Sequence, residues 1–131
     1  MNLKPKVNAT YSNGPTAFRD FKNVEWKVGN AVLDASKLQD GQVIEPFTAI
    51  YENPDTGLYE LVEAPGEDGE GGTAATMQSA LLTGSQAVVV EGTDVNPMVA
   101  GIRKAAMIEA RCHGVSDNFK AATQGRLTFD V

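Results

Sequence analysis

The sequence predicts a mainly β fold, a small sheet domain with one or two short helices that follows an extended N-terminal arm. Short apolar segments separated by turn residues recur from residue 24 onward, as is typical of a protein built from many short strands. Thirteen glycines and six prolines, against nine aromatic residues, favour a turn-rich sheet protein over a helical bundle. With 131 residues, 42% of them hydrophobic and 21% charged, the chain is long enough for one domain with a packed core.

The predicted strands are marked either by alternation or by short apolar runs. Residues 24–28 alternate apolar with charged side chains, the pattern of a half-buried strand, and residues 127–131 alternate apolar with polar ones. The turn residues 53–57 join two apolar runs into a predicted hairpin. Residues 87–90 form an apolar run between polar residues, which predicts a buried strand. The other apolar runs are at residues 31–33, 43–44, 48–51, 58–62 and 81–82.

Two stretches near the C-terminal end carry helical signals. Residues 96–114 fit a helix capped by Asn96 with Pro97 in its first turn, but they also fit an alternating strand. Local propensity favours the helix there, and periodicity alone does not decide. Residues 116–122 predict a short helix with its N-cap at residue 116 or 117.

Charge is distributed unevenly along the chain. The formal net charge is −6, which argues against a protein that coats nucleic acid. Residues 1–37 carry a net charge of +3 and residues 103–131 a net charge of +2, whereas residues 38–102 hold eleven acidic residues and no lysine or arginine. Either the basic ends fold over the acidic middle within one molecule, or the basic N-terminal segment reaches onto a neighbouring molecule.

The stretch 64–76 is an acidic, glycine-rich segment that we expect to form a mobile surface loop. Its glycines do not predict a phosphate cradle, because the Gly-Lys-Ser/Thr ending is absent and its carboxylates would repel phosphate. No apolar run reaches the roughly 20 residues of a membrane helix, and no signal peptide is visible, so no membrane partner is predicted. A lone cysteine, Cys112, excludes an intrachain disulfide framework.

The sequence offers no set of residues that predicts an enzyme. Cys112 and His113 are neighbours, so on a strand their side chains point to opposite faces and on a helix they lie about 100° apart. One cysteine and one histidine cannot complete a four-ligand zinc site. We therefore predict no catalytic residues, no metal and no cofactor, with a buried Cys112 and a His113 that faces solvent or lies in a loop.

The first 23 residues predict a partner-binding arm, because a polar, turn-prone segment holds aromatic residues and a net positive charge. The alternative is a tail that docks on its own domain. The arm is predicted to end at residue 23, and the sheet domain to span residues 24–131. The predicted partner-binding side chains, apolar anchors and cations, are Leu3, Val7, Tyr11, Phe18, Arg19, Phe21, Lys22 and Trp26.

The order of features from residue 29 onward resembles the head decoration (cement) proteins of tailed bacteriophages, the family of the phage lambda decoration protein D. The resemblance is diffuse, covers about 100 residues, and departs from the family in a longer leader and in the acidic loop 64–76. It is carried by residues 29–36 (Gly-Asn-Ala-Val-Leu-Asp-Ala-Ser), 40–46 (Asp-Gly-Gln-Val-Ile-Glu-Pro), 47–62, 87–94, 106–111 (Ala-Met-Ile-Glu-Ala-Arg), 116–122, 125 and 127–131 (Leu-Thr-Phe-Asp-Val).

The resemblance implies a β-clip or β-tulip-like domain in which residues 103–112 form a strand. It also implies a virion protein that is made in the host cytoplasm and attaches to the outer surface of the expanded capsid. Such proteins typically form homotrimers and clamp adjacent subunits of the major capsid protein, often through an N-terminal arm. Two alternatives stay open: another virion component, such as a tail or head-fibre protein, and a small β domain that binds a ligand.

Overall fold

The computed structural model of the chain describes residues 16–20 and 22–130. Within them the chain forms one α-helix, α1 (Asp117–Ala122), two short 3-10 turns (Ala35–Lys37 and Glu109–Arg111) and ten strands. The strands are β1 (Glu25–Trp26), β2 (Ala31–Val32), β3 (Val43–Ile44), β4 (Ala49–Glu52), β5 (Tyr59–Leu61), β6 (Gln78–Thr83), β7 (Val88–Val89), β8 (Met98–Val99), β9 (Gly101–Ile108) and β10 (Leu127–Asp130). The prediction of a mainly β domain with a small helix is confirmed.

One six-stranded sheet organises the described part of the chain. Its strands lie in the order β1-β9-β6-β4-β5, with neighbours antiparallel, and β10 pairs with β9 in parallel. Two small antiparallel ladders, β2 with β8 and β3 with β7, lie outside this sheet. The predicted hairpin is confirmed as β4 and β5, and the amide of Gly57 closes its turn by donating to the carbonyl oxygen of Asn53 (2.8 Å).

Strand β9 corrects the helical interpretation of residues 96–114. Helix propensity is outweighed because β9 pairs with β1 and β6 at one end and with β10 at the other. Ile102, Ala105 and Met107 are buried along it, whereas Arg103 and Lys104 are exposed. The family resemblance had implied a strand over residues 103–112, but the strand ends at Ile108 and a 3-10 turn follows.

The main sheet is covered by a hydrophobic cluster on each face, since neighbouring residues of its central strands belong to different clusters. Ala49 and Leu82 pack in the cluster that contains the fully buried ring of Phe119 from α1. Ile50 and Leu81, adjacent to them in sequence, pack in the second cluster together with residues such as Leu33 and Tyr59.

Helix α1 has the predicted N-cap. The Ser116 hydroxyl oxygen accepts a hydrogen bond from the amide of Phe119 (3.2 Å), which satisfies one of the free amides of the first turn. The cap fixes where the helix begins and thereby directs Phe119 into the core.

Two strand predictions need correction. Only Glu25–Trp26 of the alternating stretch 24–28 pairs as a strand, and the pairing is irregular between these two residues. The run at residues 87–90 is not a buried strand: its ladder partner is the two-residue β3, so Val89 is 56% exposed while Val90 is buried. The apolar residues at 87–90 do not indicate by themselves that the strand they form pairs with only one other short strand.

Candidate interaction surface

The segment at residues 16–19 runs antiparallel beside the end of β9 and belongs to the sheet domain. The amide of Ile108 donates a hydrogen bond to the carbonyl oxygen of Ala17 (2.7 Å). The amide of Arg19 donates a hydrogen bond to the carbonyl oxygen of Ala106 (2.9 Å). Phe18 and Met107 lie opposite each other in this pairing. The preceding part of the chain therefore enters the domain at a fixed point on the edge of the sheet.

Phe18 is a core residue and not an exposed anchor, which corrects its prediction as a partner-binding side chain. Only 9% of the surface of Phe18 is exposed. Its ring packs edge-to-face against the rings of Phe47 (centroids 5.2 Å apart) and Trp26 (centroids 6.1 Å apart). The predicted boundary between residues 23 and 24 consequently falls inside packed structure. The contacts of residues 16–19 agree with the alternative interpretation, in which the N-terminal segment docks on its own domain.

The other predicted binding residues have different environments. The guanidinium of Arg19 forms an ion pair with Asp130 (3.3 Å) at the surface, and Lys22 is exposed. Trp26 is 46% exposed, so its ring combines a core-facing edge with a solvent-facing one. The remaining four, Leu3, Val7, Tyr11 and Phe21, lie outside the described residues.

A groove of mixed polar and apolar lining, which we call the Trp26 groove, lies between Trp26 of β1, the turn after β6 and the strand β8. Its volume is about 190 Å³, and it is lined by Trp26, Gly84, Ser85, Gln86, Val88, Met98, Val99 and Ala100. A Cβ atom at Gly84 would lie 3.4 Å from the Trp26 ring and 3.2 Å from the Ala100 Cβ, so the absence of a side chain there lets the ring lie close to the backbone. The groove could receive an apolar side chain of another protein.

Sequence reasoning missed three exposed apolar side chains of the short strands, one of which lines this groove. Met98 is 59% exposed although it lies in a strand, and Val43 and Val89 face each other across the β3–β7 ladder with both side chains exposed. The available signal was the short length of these strands, because two-residue ladders bury little of their surface. Of these exposed apolar side chains, that of Met98 lines the groove, whereas Val43 and Val89 form a separate exposed pair.

The ion pairs of the described residues do not neutralise the acidic middle of the chain. They join Arg19 to Asp130, Arg103 and Lys104 to Glu25, and Lys120 to Glu109. Every carboxylate in these pairs comes from outside residues 38–102, so the acidic middle meets no cation at ion-pair distance within the described structure. The interpretation that the basic ends fold over the acidic middle is not supported by these contacts.

Cys112 and His113 do not form a reactive pair. The Cys112 thiol is half-buried and lies 3.5 Å from the carbonyl oxygen of Ile108. Burial, and then the negative charge of Glu109, raise the pKa of the Cys112 thiol to about 12. His113 is exposed, and its backbone pairs with that of Phe47 and Ala49. Over residues 16–20 and 22–130, no group of three His, Cys, Asp or Glu residues is placed to hold a metal ion.

Native protein should therefore react slowly with thiol reagents. At pH 8 a thiol with a pKa near 12 holds almost no thiolate, and the thiolate is the nucleophile. We expect alkylation of Cys112 by iodoacetamide to be at least about 100-fold slower in the native protein than in urea, where the pKa returns to about 8.5. Mass spectrometry of timed samples measures this, and equal rates in the two states would contradict the environment described for Cys112.

Comparison with known protein families, with curated proteins and with solved structures gives no match to this chain. In the part of the chain that the structure describes, none of the helices has the length and apolar character required to traverse a bilayer.

Proposed function

We propose that the chain is a decoration protein of a tailed bacteriophage head. It binds the outer surface of the expanded capsid, as homotrimers, and stabilises the shell by clamping adjacent subunits of the major capsid protein. Its role is structural, with no catalytic step. The proposal starts from the resemblance of residues 29–131 and draws on the position of the N-terminal segment.

The observation that carries the proposal is the anchored base of that segment. Residues 16–19 are held to β9 by backbone hydrogen bonds, and the guanidinium of Arg111 also donates to the carbonyl oxygen of Thr16 (2.8 Å). The residues upstream contain two lysines, no acidic residue and the apolar residues Leu3, Val7 and Tyr11. A basic, apolar-studded segment joined to a fixed point on a sheet edge suits an arm that lies on a neighbouring protein, where main-chain hydrogen bonds to an exposed strand supply affinity.

The Trp26 groove supplies a second contact close to the same edge. Trp26 contacts Phe18 of the anchored segment, and Trp26 and Met98 both expose apolar surface in the groove. A tryptophan buried at the centre of an interface contributes about 2 kcal/mol or more to binding. Since a capsid offers many equivalent sites, contacts of this modest size suffice when several copies are linked in one oligomer.

The experiment that tests the proposal is a capsid-binding assay. Purified protein is mixed with expanded, undecorated capsids assembled from the major capsid protein encoded in the same genome, and bound protein is separated by sedimentation. We expect saturable binding to expanded capsids and little binding to unexpanded ones. Absence of binding, or equal binding to both, would contradict the proposal, and electron microscopy of the virion would show whether the protein lies on the head or on the tail.

Replacing Trp26 with alanine should weaken capsid binding by about tenfold or more, because the groove would lose its largest apolar wall. The same sedimentation assay measures the change. Since Trp26 also contacts Phe18, the variant Met98→Gln provides an independent change in the same groove with little effect on the core. Val28→Ala is the matched control, because Val28 is 93% exposed and does not line the groove. Unchanged binding by both groove variants would remove the groove from the proposed contact.

A further inference from the structure

A basic hollow lies on the face of the main sheet opposite helix α1. It has a volume of about 290 Å³ and is lined by Lys27, Tyr59, Ser79, Leu81, Arg103 and Arg126. Tyr59 and Leu81 belong to the hydrophobic cluster that excludes Phe119, which places the hollow on that face. Three cations and no acidic residue line it, in a protein whose formal net charge is −6.

Carbonyl oxygens hold two of these cations in place without neutralising them. The half-buried Arg126 guanidinium donates to the carbonyl oxygens of Arg103 (2.7 Å) and Ala80 (3.0 Å). The Lys27 ammonium donates to the carbonyl oxygens of Val28 (3.1 Å) and Asn30 (2.8 Å). Partial burial, and then the positive charge of Arg103, lower the pKa of the Arg126 guanidinium. Two guanidiniums are therefore crowded beside an open cavity.

The carboxylates near the hollow offset only part of this charge. Glu25 accepts from Arg103 at 3.2 Å but is shared with Lys104 at 3.7 Å. Glu52 does not line the hollow, but its carboxylate accepts a hydrogen bond from the hydroxyl of Ser79, which does (3.4 Å). The hollow thus keeps an excess of positive charge that an incoming carboxylate would relieve, and a guanidinium offers that carboxylate a fork of two parallel donors.

Residues 63–70, which include the first part of the acidic loop, carry the opposite charge. They present four exposed carboxylates, and in the described structure none of them is in an ion pair. The base of the loop is tied to helix α1, because the Asn118 side-chain amide donates to the carbonyl oxygen of Thr73 (2.9 Å). Within one molecule, none of the four carboxylates lies at ion-pair distance from Lys27, Arg103 or Arg126 in the described structure.

We propose that the basic hollow binds the acidic loop of a second copy of this chain, with carboxylates of residues 63–70 on Arg103, Arg126 and Lys27. The contact is heterologous, since loop and hollow are different surfaces of the molecule. It would be the contact through which copies associate on the capsid, so it rests on the self-association included in the proposed function.

Analytical ultracentrifugation without capsids tests this contact. We expect reversible association of the wild-type protein in about 0.02 M salt, and its loss near 0.5 M salt, because attraction between exposed charges is screened within about 10 Å already at 0.1 M. The hollow variant Arg103→Glu should lower the association constant at least about tenfold. Lys104→Glu is its matched control, because it makes the same change in charge beside the same Glu25 but lies outside the hollow.

A charge-exchange experiment makes the test specific to the two surfaces. The loop variant Glu67→Lys/Asp68→Lys/Glu70→Lys should also fail to associate, whereas Glu45→Lys/Glu91→Lys/Asp94→Lys, an equal change on exposed acids elsewhere, should associate at least as strongly as wild type. An equimolar mixture of the loop variant with Arg103→Glu should regain association, since each supplies the surface that the other has lost.

Three outcomes would overturn the contact: a wild-type chain that stays monomeric in low salt, an Arg103→Glu chain that associates normally, or a mixture that regains nothing. Because capsid binding is measured separately, a chain that binds capsids but does not associate in this way overturns the contact alone. A chain that associates as expected but binds no capsid overturns the proposed function alone.

Discussion

Replacing Phe18 with alanine is expected to lower the free energy of unfolding by about 3 kcal/mol, the lower end of the range for a buried phenylalanine. The variant loses the free energy gained by burying the ring and also the edge-to-face contacts of the ring with Phe47 and Trp26. Urea unfolding followed by tryptophan fluorescence measures the loss, with Trp26 as the only tryptophan in the chain.

Lys22→Ala is the control for the Phe18 substitution. Lys22 is exposed and four residues away, so its loss should change the unfolding free energy by no more than about 0.5 kcal/mol. If Phe18→Ala instead kept wild-type stability and lost capsid binding, Phe18 would act as an anchor for a partner, and the packing described here would be contradicted.

Two truncations should differ sharply, because the folded domain includes residues that the sequence had assigned to the arm. Deletion of residues 1–23 removes Ala17 and Phe18 together with two hydrogen bonds to β9. We expect this chain to lose at least about 4 kcal/mol, a large share of the 5–15 kcal/mol that stabilises a typical domain, and to be largely insoluble or unfolded. Circular dichroism and urea titration measure the loss.

Deletion of residues 1–15 should leave the domain folded, because the contacts of residues 16–19 with β9 and the ring contacts of Phe18 with Phe47 and Trp26 are kept. In the capsid assay the same protein should bind at least about tenfold more weakly, because the basic arm is gone. Wild-type capsid binding by this shorter chain would contradict the role proposed for the arm, whereas a folded chain after deletion of residues 1–23 would contradict the core role of Phe18.

The parts of the fold that could be predicted from the sequence are those with local causes. The turn residues at 53–57 specify a hairpin by themselves, and Ser116 marks the beginning of α1 because its hydroxyl caps the first turn. The alternation at residues 127–130 predicts β10 in the same way. In each case the residues that decide the structure are within a few positions of one another.

The parts that could not be predicted depend on distant partners. The sequence around Phe18 predicts an exposed anchor, because its pairing partner in β9 lies almost 90 residues later in the chain. The helical propensity near Ala105 is likewise overruled by strands from both ends of the chain. The uneven charge was visible in the sequence, but the face that carries the three cations of the basic hollow was not, because Lys27, Arg103 and Arg126 meet only through the sheet.

The position of Met107 has a consequence for how the protein is made. Phe18 lies opposite it on one side and Phe129 on the other, so β9 is flanked by segments from the two ends of the chain. A nascent chain cannot complete this sheet until residue 130 has left the ribosome, and contacts of such large sequence separation form slowly. The emerging polypeptide thus exposes apolar strands until β9 and β10 have both left the ribosome, and over that time it depends on protection from aggregation.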